Sequence, residues 1–389
     1  MPTPSFGKTM ADRESEIVAK IASGVSGLNA RAWDRLGGDR NPFVSHAFLS
    51  ALEQSGSVGK GTGWTPAPIL VEDDAQHLVA AAPAYLKSHS QGEYVFDHGW
   101  AEAWERAGGE YYPKLQVAVP FTPVPGPRLL GQRPQQLLAA IEAVTVQNSI
   151  SSAHITFLDD ANAGECERRG WLIRHGVQYH WINRGYASFD DFLAVLSSRK
   201  RKVIRKERSA AREGLEFRAL RGDEIEPADW DAMWAFYQDT GSRKWGRPYL
   251  TRAFFDHIGE RMGDQVLLLI ALRGGRPIAG ALNLIGPDTL YGRYWGCTED
   301  VPFLHFELCY YQAIEWACAH GLARVEAGAQ GEHKVARGYE PVVTRSAHFI
   351  PNRSFREAVA DFIEAERSGV DREVEWLRGS LPYRSSSSE

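Results

Sequence analysis

Two stretches of this chain run through the same order of strand, tight polar turn and strand. Ile69-Leu-Val-Glu-Asp-Asp-Ala-Gln-His-Leu-Val-Ala-Ala-Ala in the first half is echoed by Ile270-Ala-Leu-Arg-Gly-Gly-Arg-Pro-Ile-Ala-Gly-Ala in the second. In each, the second strand carries a run of small residues. Each is followed by a segment with tyrosine near its start, Tyr94-Val-Phe-Asp-His-Gly and Tyr291-Gly-Arg-Tyr-Trp-Gly. Short apolar runs separated by glycine or aspartate turns close into hairpins, because the backbone twist of such turns matches the twist of the flanking strands. The recurrence predicts a duplicated antiparallel meander. A length of 389 residues exceeds one typical core and suits two domains.

Hydrophobic content of 43% with 24% charged residues describes a globular, water-facing chain. The net charge of −5 excludes a polycation, so any affinity for nucleic acid has to come from a local patch. Cys166, Cys297, Cys309 and Cys318 are scattered, with no Cys-x-x-Cys pair. This removes zinc-finger and redox-motif readings and fits a reducing cytosol. No apolar run reaches the length that crosses a bilayer, and residues 1–28 lack the apolar segment of a signal peptide. A cytoplasmic location without membrane insertion is expected. No His, Cys, Asp or Glu group has metal-ligand spacing, and no Gly-x-Ser-x-Gly elbow occurs.

Apolar spacing and breakers place the elements. In the first half, helices are expected at 46–54, 101–106 and 135–147. Strands are expected at 67–72, 77–86, 93–97, 115–119, 154–158 and 171–183. The second half opens with a helix at 198–213, stopped by Gly214. A strand at 215–220 and helices at 229–240 and 251–261 follow, the latter capped by Thr251. A meander at 266–272, 276–285 and 289–298 leads to a helix at 306–320. Next come a buried strand within 322–328, a strand at 342–350 and a closing helix at 355–378.

Three segments concentrate chemistry. Gly331-Glu-His-Lys-Val-Ala-Arg-Gly-Tyr-Glu-Pro follows the buried strand and brings together Glu332, His333, Lys334 and Arg337. Charges at the end of a buried strand are costly unless partners or a ligand meet them; ordinary ion pairs on a surface loop are the plainer reading. Lys334 and Arg337, three residues apart on a helical turn, would share a side. Glu326, on the preceding strand, is a further acid near them. The helix at 199–212 carries eight basic residues and the single acid Glu207. Arg201, Arg205, Arg208 and Arg212 form one stripe on it. Such a stripe suits an anionic ligand, local acids, or a solvated face. Finally, Tyr111, Tyr112, Lys114, Phe121 and Thr122 in a proline-rich stretch, and Arg243, Lys244, Trp245 and Tyr249 between two helices, could wall a substrate cleft or equally serve as loop packing.

The segment Lys334-Val-Ala-Arg-Gly-Tyr339 resembles the Lys-x-x-x-Gly-[Phe/Tyr] stretch near the end of Fem-type peptidyltransferases, relatives of the GNAT acyltransferases. Asn41-Pro-Phe-Val-Ser-His-Ala-Phe-Leu, Tyr111-Tyr-Pro-Lys-Leu-Gln-Val-Ala-Val-Pro-Phe-Thr-Pro, Lys244-Trp-Gly-Arg-Pro-Tyr-Leu and His305-Phe-Glu-Leu-Cys-Tyr-Tyr-Gln are similar to segments of a bacterial Fem-like group linked to peptidoglycan biosynthesis or recognition. The resemblance covers most of the chain. It implies an α+β fold of two tandem GNAT-like domains, each a mostly antiparallel mixed sheet flanked by helices. These would span 28–196 and 197–384, after an N-terminal extension at 1–27 and before a disordered tail at 385–389.

The resemblance further implies transfer of an acyl or aminoacyl group onto an amine of a small molecule or cell-wall precursor, in a cleft of the second domain. Lys334, Arg337, Glu332 and His333 would carry the chemistry. Arg201, Arg205, Arg208, Tyr112, Lys114, Lys244, Trp245 and Tyr339 would contact substrate. The donor would be acyl-CoA or aminoacyl-tRNA, the latter making tRNA a partner. GNAT enzymes cradle the pyrophosphate of CoA on a glycine-rich loop at a helix N-terminus. Here that place reads Glu299-Asp-Val-Pro-Phe-Leu-His-Phe-Glu, without glycine, so the donor stays open. A non-catalytic protein that recognises a cell-wall fragment or RNA with the same cleft is the alternative.

Overall fold

The computed structural model describes residues 18–37, 40–245, 248–328 and 331–384. The tail expected at 385–389 lies outside them. The first half runs β1 (Val18–Ile21), α1 (Ala30–Asp34), α2 (His46–Gln54), β2 (Trp64–Pro66), β3 (Ile69–Glu72), β4 (Leu78–Ala82) and β5 (Ala84–Lys87). It continues with α3 (His98–Arg106), β6 (Lys114–Val117), β7 (Leu130–Gly131), α4 (Pro134–Gln147), β8 (Ala153–Leu158), α5 (Asp160–Arg168), β9 (Leu172–Ile182) and α6 (Phe189–Val195). The second half comprises α7 (Ser198–Arg212), β10 (Glu216–Arg221), α8 (Pro227–Trp245), α9 (Arg252–Met262), β11 (Val266–Arg273), β12 (Arg276–Ile285) and β13 (Thr289–Cys297). A helical stretch follows, made of α10 (Leu304–Phe306), a π turn (Glu307–Tyr311) and α11 (Gln312–Ala319). The chain ends with β14 (Arg324–Glu326), a 3₁₀ turn (Glu332–Arg337), β15 (Glu340–Phe349) and α12 (Arg353–Gly379).

The meander read at 266–298 is β11–β12–β13. Its first turn uses Gly274 and Gly275 at φ of 56° and 75°, a left-handed pair that glycine adopts without a Cβ penalty. The first-half copy is less regular. β3 and β4 pair as expected, but Pro83 separates β4 from β5. β4 stays in a four-stranded sheet of order β1-β3-β4-β7, while β5 joins an eleven-stranded sheet. Proline cannot donate to a ladder, so the strand breaks there. The third strand of this copy is Lys114–Val117, which pairs with β5. The strand expected at 93–97 is not formed; Glu93 and Asp97 are buried instead. β1 adds an edge strand from within the expected N-terminal extension.

The large sheet has the order β10-β11-β12-β13-β14-β9-β15-β8-β6-β5-β2. Two of its pairs are parallel, β13 with β14 and β6 with β8. At the centre the halves exchange strands: β9 lies beside β14, and β15 lies beside β8. β9 and β15 pair with each other over nine positions. The exchange leaves neither half an open edge at this junction.

Helices cover both faces of β11, so Val266–Leu272 are all buried and the strand reads as a continuous apolar run. One core cluster, under α8 and α9, also contains Phe43, Phe48 and other first-half side chains. Phe48 meets Phe254 edge-on at 5.6 Å and Phe43 meets Tyr291 at 5.1 Å. The second cluster lies under α6 and α11. Thr251 precedes α9, but its hydroxyl donates to the Ser55 carbonyl (2.9 Å) rather than capping the helix. It therefore ties α9 to the end of α2.

Candidate functional site

β13 and β14 pair at three positions, Thr289 with Arg324, Leu290 with Val325 and Tyr291 with Glu326. There β14 ends, while β13 runs on to Cys297. Asn283 of β12 lies opposite Gly292 and Leu282 opposite Tyr294, which leaves Arg293 as the extra residue of a bulge. Parting strands leave backbone groups without a ladder partner, and a ligand can use them. The 3₁₀ turn at Glu332–Arg337 follows β14 in the chain and packs against α7, β9 and β15. Gly338 ends the turn at φ 88°, and a Cβ on it would sit 2.7 Å from the Phe192 ring. That close approach explains the glycine of the Lys-x-x-x-Gly-Tyr stretch.

Lys334 is 2% exposed. Its ammonium donates to the Gly328 carbonyl (2.8 Å) and lies 5.8 Å from the Tyr179 ring. No carboxylate pairs with it among the described residues. Burial pushes its pKa down to about 8, because a low-dielectric surrounding disfavours the charged form. A buried cation left open in this way is expensive, which marks it as a candidate for chemistry. Arg337 does not share that situation. Its Nε donates to Tyr311 (2.9 Å), Nη1 to the His333 carbonyl (2.8 Å) and Nη2 to Glu207 (2.8 Å). Its guanidinium also stacks 3.5 Å from the Phe306 ring centre. Arg337 thus fastens the turn to α7 and has no arm left to clamp a ligand. His333 shares a 2.9 Å hydrogen bond with the Tyr310 hydroxyl. The Glu332 side chain lies outside the described residues. Tyr339 is buried in the core under α11, so the structure gives it a packing role instead of substrate contact.

On α7 the expected stripe divides. Arg208 binds Glu307 through Nε and Nη2 (both 3.0 Å) and reaches Glu315 at 2.6 Å. Arg212 contacts the same two acids at 2.7 and 3.3 Å. Glu307 is fully buried in the π turn, and the two guanidinium groups neutralise it. Arg208 is therefore an internal ion-pair partner. Among the described residues Arg201 reaches only the Ala194 carbonyl (3.4 Å), and Arg205 lies 3.4 Å from Asp190. A cavity of about 320 Å³ lies along this helix, lined by Phe189, Arg205, Arg208, Arg212 and Glu315 among others.

In the first half, Lys114 is buried, not part of a cleft wall. It donates to Ser90 (2.8 Å) and Glu93 (2.7 Å) and touches Asp97. Burial opposes its charge, but Glu93 and Asp97 hold its pKa above the usual value. Tyr112 bonds to Ser90 at the margin of this network (2.8 Å). The following segment does reach the second half. The Phe121 ring stacks on Tyr249 at 4.7 Å and 7°, and the Phe121 carbonyl accepts from Arg293 Nη2 (2.8 Å). Lys244 and Trp245 end α8, and their side chains lie outside the described residues.

A family profile described as FemAB-like, peptidoglycan biosynthesis/recognition, matches residues 24–385. The chain belongs to the FemAB-like family. Among solved structures it is similar to FemX, with 11% identity, a TM-score of 0.53, and coverage of 86% of this chain and 98% of that one. A conserved protein of unknown function from Bacteroides thetaiotaomicron superposes with a TM-score of 0.51 at 11% identity, covering 86% and 99%. A tandem GNAT protein from the clavulanic acid biosynthesis pathway gives 0.44 at 13% identity, covering 87% and 99%. No curated protein matches the sequence. The expected α+β fold of mostly antiparallel sheet flanked by helices is the one observed, and FemX shares it.

Around the gap of this FemAB-like chain lie Glu326, already expected from the sequence as a further acid near Lys334, and His180 and Arg293, which carried no assigned role in the sequence. Glu326 is 6% exposed and Oε2 has no hydrogen-bond partner among the described residues. His180 of β9 stands opposite it in register, with Nδ1 3.8 Å from Oε1. Burial, with Arg324 and Lys334 nearby, pushes the His180 pKa down to about 3. Arg293 belonged to the Tyr291-Gly-Arg-Tyr echo, which was read for its strand pattern alone. β9 was read as a first-half strand, and nothing local to its sequence marks it as a neighbour of β14.

Proposed function

We propose that this FemAB-like protein moves an acyl or aminoacyl group from an ester or thioester donor onto an amine, in the gap between β13 and β14. The observation that carries the reading is Lys334: a buried ammonium without an ion-pair partner among the described residues, held on the Gly328 carbonyl just past the end of β14. Acyl transfer needs the donor carbonyl and the amine held together, and a positive group where the oxyanion develops. Lys334 would supply that charge, Arg337 would hold the turn that positions it, and Glu332 and His333, which precede it in the chain, would be the candidate proton acceptors. We take residues 28–196 and 197–384 as the two units of one catalytic body, working on a cell-wall precursor in the cytoplasm. In the test, the protein is screened by thermal shift against acyl-CoAs, charged tRNA and UDP-linked muropeptides, then assayed for turnover with the donor that stabilises it. Lys334→Ala should lose turnover and keep the fold; full turnover by that variant sinks the reading.

A second reading has its own support. Where a CoA-binding loop would lie, Glu299 is held by Arg273 (2.5 Å) and by Arg276. Acids tied down at that place disfavour a pyrophosphate. A protein that binds a cell-wall fragment or RNA without turnover would show a large thermal shift with one ligand class and no product with any donor.

A further inference from the structure

The gap has two sides, and they differ in chemistry. Tyr179 and Trp181 of β9 belong to the core under α6 and α11, and Lys334 sits by Tyr179. Lys334 therefore reaches the gap from that side. Glu326 pairs in register with Tyr291 on one flank and His180 on the other, and cross-strand neighbours share a face. Tyr291 packs in the core under α8 and α9, so Glu326 belongs to the opposite side from Lys334. The first-half segment 121–123 roofs this second side. It is fastened there by Arg293 Nη2 on the Phe121 carbonyl (2.8 Å) and by Gln178 on the Pro123 carbonyl (2.7 Å).

Two polar atoms under this roof have no partner among the described residues: Glu326 Oε2 and Arg293 Nε. The contacts Glu326 does make, Arg324 Nε at 3.6 Å and His180 Nδ1 at 3.8 Å, are beyond hydrogen-bond distance. A purely structural acid and base would close on each other, because an open buried acceptor forfeits its hydration without return. Arg293 keeps Nη2 on the Phe121 carbonyl and a contact with Tyr294, so Nε is the arm it leaves open; that Nε and Glu326 Oε2, on one side of the sheet, match a ligand that carries an anion and an amine together.

We propose that Arg293 and Glu326 form the acceptor subsite of this cleft: Arg293 binds the carboxylate of an amino-acid-type substrate, and Glu326 receives the proton of its amine. This deepens the transfer reading and rests on it. The amine nitrogen forms the N–C bond to the donor carbonyl, and the C=O pair moves onto oxygen near Lys334. Collapse breaks the bond from carbonyl carbon to the ester oxygen or thioester sulfur, which leaves with its electron pair. The proton lost by nitrogen passes through Glu326 to that leaving atom, giving an amide and a free alcohol or thiol. Donor and acceptor would thus meet from opposite faces of one sheet.

The groups that face Glu326 are Arg324 on its own strand, Arg293 and Tyr291 on β13, Asp288 at the preceding turn and His180 on β9. Burial pushes its pKa up to about 7, against Arg324 and Arg293, with Asp288 adding to the rise. A proton acceptor with that value works at neutral pH.

The test uses the full chain and two probes that differ by one carboxylate, L-lysine and cadaverine, in ligand-observed NMR titrations. L-lysine should saturate the protein at a concentration at least tenfold lower than cadaverine. Arg293→Met should erase that preference, and Glu326→Gln should weaken both amines. Equal affinity of the two probes for the wild-type protein, or binding of neither, overturns the subsite without any appeal to variants. Turnover by Lys334→Ala would overturn the transfer reading while leaving the lysine preference to be measured, so the two failures are distinguishable.

Discussion

Lys334 and Arg337 are three residues apart on one 3₁₀ turn, and the structure gives them opposite situations. Arg337 is closed by Glu207 and Tyr311, so removing it strands a buried carboxylate. Arg337→Ala should cost about 3 kcal/mol or more in denaturant unfolding, and Glu207→Gln with Arg337→Ala together should cost less than the sum. A loss below about 1 kcal/mol would mean the pair is looser than its geometry. Lys334 has the reverse signature. Its folded pKa of about 8 lies below the ordinary 10.5, so its charge destabilises the fold fully below pH 8. That penalty is relieved as pH rises from 8 to 10.5. Lys334→Met should therefore stabilise the protein at pH 7 by roughly 3 kcal/mol, with the gain shrinking across that window. A pH-independent difference would contradict the burial argument. In turnover, a charged Lys334 and an ionised Glu326 together require a rate that rises through about pH 7 and falls above about 8. Glu326→Gln should remove the acid limb.

At the scale of the element, α7 shows how far spacing carries. Its boundaries and its stripe of arginines were legible because both follow from 3.6-residue periodicity and from the glycine that stops the helix. The acids that neutralise Arg208 and Arg212 were not, since Glu307 and Glu315 lie about a hundred residues away in sequence. Local rules reach only neighbours three or four apart. The pairing moves the expected anion site outward, to the exposed Lys202, Arg205 and Lys206. Binding of a polyanion such as bulk tRNA should weaken steeply between low and high salt. Lys202→Glu with Lys206→Glu should abolish it. A flat salt response, or unchanged binding by the double variant, would leave α7 as a solvated helix.

At the scale of the whole molecule, the exchange of β9 and β15 governs cooperativity. A cut between residues 196 and 197 would strip β9 of β14 and β15, and would leave β15 without β8 and β9. The core under α8 and α9 would also lose Phe43 and Phe48. Fragments 18–196 and 197–384 expressed separately should show no cooperative unfolding, and should regain it when produced together. Cooperative melting of either fragment alone would show that the exchange is dispensable. Lys114 belongs to the same lesson. Its aromatic, proline-rich surroundings resemble a cleft wall in sequence, yet Glu93 and Asp97, misread as a strand, fold back to enclose it.

The amino-acid order alone determined the kinds of element, the glycine hairpin of the second meander and the family, and it singled out Lys334 as a candidate. Each depends on residues close together along the chain: apolar period, turn chemistry, and a compact charged segment after a buried strand. Only the tertiary structure decided that the halves share a core and exchange strands, and that Arg337 is a fastener. It alone left Arg293 Nε and Glu326 Oε2 without partners among the described residues. Those outcomes depend on which surfaces pack together once the chain is collapsed, and on how much water each charge then loses. Neither quantity is written in the spacing of neighbouring residues.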